Sequence, residues 1–238
     1  MAVDSSEVQQ SNGLTTLVDT IISPKEAFER LAISPTWGWA LLVSVVLPVA
    51  AYYFMIPAVE HGMLGDFAKQ ALTNPQIAQM SPEQRAKFAS FVPYFSVFAP
   101  IAVLFFVLLQ AVIMTIFNAI GKGQANFGKL WAASMNICVL YGIGQVVAAV
   151  VVVLRGPDSF NSATEVQRAL PSLALIAPAG SDPHLLALLA TINPIVIWSV
   201  VLVSMAMRYT AKVGSGPAWT TAIVSYAFPM LLGVAFAR

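Results

Sequence analysis

Long apolar stretches separated by short polar segments dominate the hydropathy pattern of this chain. Five of them, each free of Asp, Glu, Lys, Arg and His, run over about 37–59, 95–120, 131–154, 185–207 and 218–237. A helix needs about 20 mostly apolar residues to cross the hydrocarbon core of a bilayer. Membrane-spanning strands would instead alternate in polarity over segments of about 10 residues. The pattern therefore predicts an all-α polytopic membrane protein, a five-transmembrane-helix bundle.

The residues before the first apolar stretch predict amphipathic helices that lie at the membrane interface. Apolar residues recur there at helical spacing, at positions 14, 17, 18, 21 and 22. Ser23-Pro24-Lys25-Glu26 then predicts a new helix with Ser as N-cap, Pro in the first turn and Glu closing a capping box, and Ser81-Pro82-Glu83-Gln84 repeats this pattern. We interpret 1–33 as a cytoplasmic segment and 34–238 as the transmembrane domain. The pattern leaves open whether the N-terminal helices contact lipid or dock on the bundle.

The composition excludes several classes of protein. Hydrophobic residues make up 58% of the chain and charged residues 10%, and the mean hydropathy is +0.77. A soluble domain has about 25% charged residues. A net charge of +1 provides no basic stripe for nucleic acid. The single cysteine, Cys138, can form neither an internal disulfide nor a thiolate metal site. The lipid bilayer is the expected partner.

The distribution of positive charge predicts the orientation of the chain. The connections 121–130 and 208–217 contain basic residues and no acid. Short basic connections tend to stay in the cytoplasm, which places the N-terminus inside and the C-terminus outside. One cytoplasmic surface would then present six basic side chains to anionic lipid headgroups. These are Lys25, Arg30, Lys122, Lys129, Arg208 and Lys212.

The apolar stretches contain polar residues, all of them neutral. Five are side-chain amides: Gln110, Asn118, Asn136, Gln145 and Asn193. Such amides either join helices by hydrogen bonds or, if they converge on one cavity, line a path for a solute. Asn193-Pro194 also predicts an interruption of the fourth stretch, either a kink healed by nearby amides or a broken helix that exposes carbonyls as transporter sites do. The sequence contains no nucleophile beside a base, phosphate-binding loop or metal-ligand motif, and we therefore expect no enzyme, no cofactor and no catalytic or metal site.

Several segments resemble one protein family. Thr20–Leu31 (TIISPKEAFERL) with the Pro-Thr-Trp that follows at 35–37, the short basic connection Gly121–Gly128, Tyr141-Gly142 and Asn193–Arg208 (NPIVIWSVVLVSMAMR) are similar to bacterial members of the Yip-domain family. These are five-span relatives of eukaryotic Ypt/Rab-interacting membrane proteins. The DLYGP-type motif of many eukaryotic members is not in the sequence. The resemblance implies five helices in a bacterial inner membrane, a cytoplasmic N-terminus, a role in membrane organisation or protein trafficking, and no catalytic residues.

Two functional hypotheses follow from these observations. The first is a non-enzymatic scaffold that binds other membrane proteins, or further copies of itself, through its bundle and its interfacial helices. The alternative is a channel or carrier for a neutral or lipid-like solute, which requires the five amides to line one cavity near the middle of the bilayer.

Overall fold

The computed structural model describes residues 12–178 and 181–235, and these residues form helices and connections without any strand. The prediction of an all-α fold is therefore confirmed. The α-helices of this part of the chain are α1 Gly13–Ile22, α2 Pro24–Ile33, α3 Gly38–Gln70, α4 Pro75–Gln79, α5 Pro82–Phe91, α6 Ala99–Ile120, α7 Phe127–Arg155, α8 Ala163–Gln167, α9 Pro183–Thr191, α10 Pro194–Tyr209 and α11 Ser215–Ala235.

Three of these helices, α3, α6 and α7, are long and apolar enough to cross a membrane, and α9 with α10 forms a fourth candidate that is bent by 57°. The fifth predicted span, 218–237, falls on α11 and ends outside the described residues. The fifth span therefore stays a prediction. The stretch predicted from about residue 95 begins as a 3₁₀ turn, Val92–Phe98, before α6 starts.

The described residues form two compact units. The first unit combines residues 12–43, 106–139 and 198–228. The second unit combines 44–105, 140–178, 181–197 and 229–235. The N-terminal helices α1 and α2 thus belong to the same unit as parts of the membrane helices.

Within the first unit, α1 and α2 are docked on their neighbours. Phe28 and Leu31 of α2 are fully buried. The Thr210 hydroxyl, after α10, donates a 2.8 Å hydrogen bond to the Phe28 carbonyl. The Arg30 guanidinium lies 2.7 Å from a carboxylate oxygen of Asp19 and ties α2 to α1. The structure therefore favours docking for these two helices.

The second unit contains an extension of the first membrane helix. The apolar pattern predicts a span that ends near residue 59, but α3 continues to Gln70 and has 33 residues. At about 1.5 Å per residue it is about 50 Å long, which exceeds a hydrocarbon core of about 30 Å. The extension packs closely against the segment 160–163, because a Cβ at Gly62 would lie 2.5 Å from the carbonyl carbon of Ser162. Glu60, His61, Asp66 and Lys69 end the apolar run without ending the helix.

The same extension holds the start of α8. A carboxylate oxygen of Asp66 accepts a 3.0 Å hydrogen bond from the backbone N–H of Ala163. His61 Nδ1 lies 3.0 Å from the Phe160 carbonyl oxygen. Phe160 itself is fully buried in the core of the second unit. The close backbone approach and these polar contacts together fix the connection after α7.

The predicted interruption of the fourth span is present as a break. α9 ends at Thr191 and α10 begins at Pro194. Asn193 Oδ1 accepts the backbone N–H of Val196 at 3.0 Å and so caps α10. The Ile192 carbonyl accepts a 3.0 Å hydrogen bond from the N–H of Leu173. Two of the polar groups at the break are therefore paired within the chain, as a low-dielectric environment requires.

Candidate functional site

Gln110 joins three helices of the first unit. Its Nε2 donates to the hydroxyl of Tyr226 on α11 at 3.3 Å. Tyr226 also hydrogen bonds to the side chain of Ser199 on α10. The amide therefore acts as a link between α6, α11 and α10, which is the first of the two roles that the sequence allows for such groups.

Asn118 and Asn136 hold connections at the ends of helices. Asn118 Nδ2 donates to the Ala125 carbonyl at 2.9 Å, across the turn between α6 and α7. Asn136 Nδ2 donates to the Thr36 carbonyl, just before α3, at 2.9 Å. The Oδ1 atoms of both amides are buried and have no hydrogen-bond partner among the described residues. These two side chains position backbone segments.

Gln145 has a different environment from the other four amides. It lines a cavity of about 350 Å³ in the second unit, which we call the neutral cavity. Asn193, in the same unit, is occupied by capping α10. The neutral cavity is lined by uncharged residues, among them Pro48, Tyr52, Pro100, Tyr141, Gln145 and Gln167. Of the five predicted amides, Gln145 is thus the member that lines this cavity.

All six predicted basic residues belong to the first unit. Arg30 is paired with Asp19. Lys25 and Arg208 lie over the ring of Tyr209, at 6.0 and 5.7 Å from its centroid. The other three are lysines with no carboxylate within 4.0 Å in the part of the chain that the structure describes: Lys122, Lys129 and Lys212.

Two of these free lysines, Lys129 and Lys212, line one cleft of about 390 Å³, which we call the basic cleft. Its walls come from α2, the turn before α7, the start of α7 and the turn after α10. The Gln124 N–H donates to the Ala211 carbonyl at 2.8 Å and joins the two turns. The residues that line it are Glu29, Ala32, Ile33, Gln124, Lys129, Thr210 and Lys212.

The backbone of the two turns carries an unusual feature. Lys122 has a φ of 53° and Lys212 a φ of 59°, which is the left-handed region that glycine prefers. Gly123 follows Lys122, and a Cβ there would lie 2.8 Å from the Ala211 carbonyl oxygen. The turns therefore approach each other so closely that a side chain at 123 does not fit.

Aromatic residues lie at the starts of α3 and α7, in the same unit as the basic cleft. Trp37 packs edge-on against Trp131, with ring centroids 6.4 Å apart, and Phe127 stacks on Trp131 at 6.3 Å. Trp37, Trp39 and Phe127 are 41%, 49% and 43% exposed. Exposed tryptophans at helix ends are typical of the interface between hydrocarbon and water. This belt was not predicted from the sequence, although Trp37 and Trp131 stand at the starts of two predicted spans.

Neither unit shows the chemistry of a metal centre. Among the described residues, no group of three or more His, Cys, Asp or Glu side chains is placed to hold a metal ion. What the fold presents is a set of apolar helices, an interfacial belt, a basic cleft and a neutral cavity.

These features define an integral membrane protein built of helices. The family model of the Yip1 domain matches residues 18–237, which is nearly the whole chain. The chain therefore belongs to the Yip1 family. The resemblance noted from the sequence is thereby confirmed at the level of the family, which is not known as a family of enzymes. No curated protein and no solved structure matches the chain.

Proposed function

We propose that this protein is a non-enzymatic, five-span scaffold that organises the membrane around it, with its N-terminus in the cytoplasm of a bacterial cell. Its partners would be the bilayer, other membrane proteins or further copies of the chain. The alternation of long apolar helices with short basic connections supports this topology.

One observation carries the proposal. The face of α1 that points away from the docked side is apolar, with Leu14, Val18 and Ile22 exposed by 43%, 44% and 70%. These residues are four apart and so form one stripe along the helix. A docked helix whose outer face is apolar is suited to insertion into the headgroup and acyl-chain boundary. The bundle would thereby gain a rigid wedge in one leaflet.

The test replaces the stripe and leaves the docked face intact. In the triple variant Leu14→Ser, Val18→Ser, Ile22→Ser, the buried contacts of Phe28 and Leu31 remain, so the protein should fold. A matched triple, Leu14→Ile, Val18→Ile, Ile22→Val, keeps the stripe apolar. Each full-length protein is reconstituted into vesicles of phosphatidylcholine and phosphatidylglycerol, and vesicle diameter is measured by electron cryomicroscopy.

We expect the wild type and the apolar triple to reduce vesicle diameter and the serine triple to leave it as in protein-free vesicles. Equal remodelling by the wild type and the serine triple would show that the apolar stripe of α1 does not remodel the membrane. Deletion of residues 1–33 is a poorer test, because it would also remove the buried Phe28 and Leu31 from the core of the first unit.

The proposed orientation has its own test. Thr164 and Gly216 are both exposed, and a Cβ at Gly216 meets nothing within 4 Å. Single cysteines at these positions, in a Cys138→Ala background, are treated in intact cells with a membrane-impermeant thiol reagent. Labelling of Thr164→Cys alone agrees with a cytoplasmic N-terminus, whereas labelling of Gly216→Cys alone would invert the topology.

A second candidate function is a carrier for a neutral or lipid-like solute. The five predicted amides do not line one cavity, as that hypothesis requires, because Gln145 is the one that lines the neutral cavity, so this candidate rests on the cavity itself. Its lining offers the hydroxyl groups of Tyr52 and Tyr141 and the amide of Gln145, with no charged residue among those that line it. A cavity of about 350 Å³ lies within the range of about 300–1,000 Å³ that small-molecule sites occupy.

Filling the cavity tests this candidate. Val103 lines it, and Val103→Trp should occupy part of its volume. Ile116→Trp, at a position on the same helix that is 52% exposed, is the control. Proteoliposomes are assayed for glycerol flux and for transbilayer movement of a fluorescent phosphatidylcholine. A carrier is supported if Val103→Trp reduces the movement of either probe severalfold and Ile116→Trp does not. If the wild-type rates equal those of protein-free vesicles, the protein does not carry either probe.

A further inference from the structure

We propose that the basic cleft binds the phosphate group of one anionic lipid headgroup. This deepens the proposed function, since it assigns a single site within the membrane-facing surface, and it narrows six predicted basic contacts to two. The remaining four side chains are either engaged elsewhere in the first unit or, for Lys122, do not line the cleft.

The charge of the cleft selects an anion. Lys129 and Lys212 contribute two positive charges and Glu29 one negative charge, and neither lysine lies within 4.0 Å of a carboxylate among the described residues. The first turn of α7, which carries Lys129, contains no acidic residue, so the positive end of its dipole adds to the lysines. α2 and α10 end at the cleft, and the negative ends of their dipoles offset part of this field.

The cleft is built before a ligand arrives. The Thr210 side chain, which lines it, is fixed to the Phe28 carbonyl of α2 at 2.8 Å. Gln124 is fixed to Ala211 through its backbone N–H, also at 2.8 Å. The backbone that carries Gln124, Thr210 and Lys212 is thus fixed around one space, and little backbone entropy remains to be lost on binding.

The depth of the cleft selects a lipid over a soluble phosphate. Lys129 lies on α7 between Phe127 and Trp131, which belong to the aromatic belt. Aromatic belts lie at the level of the headgroups, so the cleft meets phosphates that the bilayer already supplies at high local concentration.

The experiment uses the full chain in a neutral detergent. The probes are dioctanoyl phosphatidic acid, dioctanoyl phosphatidylcholine and inorganic phosphate, titrated while thermal unfolding is followed, and native mass spectrometry counts the lipids that remain bound. The variants are Lys129→Gln, Lys212→Gln and Glu29→Gln. The control is Lys122→Gln. This substitution removes the same charge from a residue with the same positive φ as Lys212, but Lys122 does not line the cleft.

We expect one phosphatidic acid per chain, with a dissociation constant raised about tenfold in Lys129→Gln and in Lys212→Gln, which corresponds to one charge-assisted hydrogen bond. Lys122→Gln should bind as the wild type, and Glu29→Gln should bind more tightly. Equal weakening in Lys122→Gln would overturn the site and leave only a diffuse basic surface. Inorganic phosphate that binds as tightly as phosphatidic acid would overturn the lipid as the source. Neither of these failures affects the vesicle test of the α1 stripe, so the site and the scaffold can fail separately.

Discussion

The basic cleft and the neutral cavity differ in the means by which their walls are held together. The basic cleft is closed by hydrogen bonds between connections, as in the contact of Gln124 with Ala211, and contains charged side chains. The neutral cavity is lined largely by residues of the membrane helices, such as Tyr52 and Gln145, and its lining is uncharged. Charge is tolerated where water and headgroups solvate it and is excluded where a bare ion would be costly.

The segments that dock within each unit also differ in how they are held. In the first unit, α2 is held by large buried side chains such as Phe28. In the second unit, the segment 160–163 has a buried phenylalanine too, Phe160, but it is also held by backbone approach at Gly62 and Gly65. The first arrangement should fail when a side chain is removed, and the second also when one is added at either glycine.

The largest effect is expected from Phe28→Ala. Phe28 is 0% exposed, and deletion of a buried phenylalanine costs about 3–5 kcal/mol through lost burial and the cavity left behind. The free energy of unfolding is measured by SDS titration in mixed micelles. Ile33→Ala is the control on the same helix, since Ile33 is 81% exposed. An equally small effect of both variants would show that α2 is not part of the folded core.

The next effect is expected in the second unit, from Gly62→Ala and Gly65→Ala. A Cβ at Gly65 would contact the Asn161 carbonyl oxygen, and one at Gly62 would lie 2.5 Å from backbone of Ser162. Such overpacking costs about 1–3 kcal/mol because the backbones must separate.

The matched control is Gly38→Ala in the same helix, where a Cβ meets nothing within 4 Å. It should leave stability unchanged or raise it by up to about 1 kcal/mol. If Gly62→Ala were as well tolerated as Gly38→Ala, the close approach of α3 to the segment 160–163 would be wrong.

The smallest effect is expected from the pair Arg30 and Asp19. Their side chains are 29% and 20% exposed, so solvent screens a contact of 2.7 Å to a coupling of about 1 kcal/mol or less. A double-mutant cycle with Arg30→Gln and Asp19→Asn measures this coupling. It should fall further at high salt, and a coupling that does not respond to salt would show that solvent does not screen this ion pair.

Helix starts show how far the sequence could predict this fold. Ser81 and Gln84 form the reciprocal hydrogen bonds of the predicted capping box, at 3.2 and 2.8 Å. Ser23, in the same motif, makes no side-chain cap bond, although α2 begins at Pro24 as predicted. Ser23 also ends α1, where its N–H bonds to the Asp19 carbonyl, and its φ and ψ of −137° and 58° leave the extended conformation that a capping serine prefers.

The candidate site could be predicted only in part. Local patterns predict the parts of the fold that depend on neighbouring residues: the apolar runs indicate the helices, and Asn193-Pro194 indicates the interruption of the fourth span. The cleft depends on the contact between residues 124 and 211 and on that between 28 and 210, which no local pattern indicates. For the same reason, the sequence places the six basic residues in one predicted surface. The structure separates those that contact a carboxylate or an aromatic ring from the three lysines that have no carboxylate within 4.0 Å among the described residues.

The left-handed backbone at Lys122 and Lys212 has a consequence for protein engineering. A residue with a Cβ is strained at such a φ, and glycine in its place should raise stability by about 0.5–1 kcal/mol. A selection for thermostability alone should therefore recover glycine at both positions. A selection that also demands retention of phosphatidic acid should recover it at 122 and reject it at 212. Two positions with nearly the same backbone conformation would then respond differently: glycine would be favourable for stability at both but would impair lipid binding only at 212.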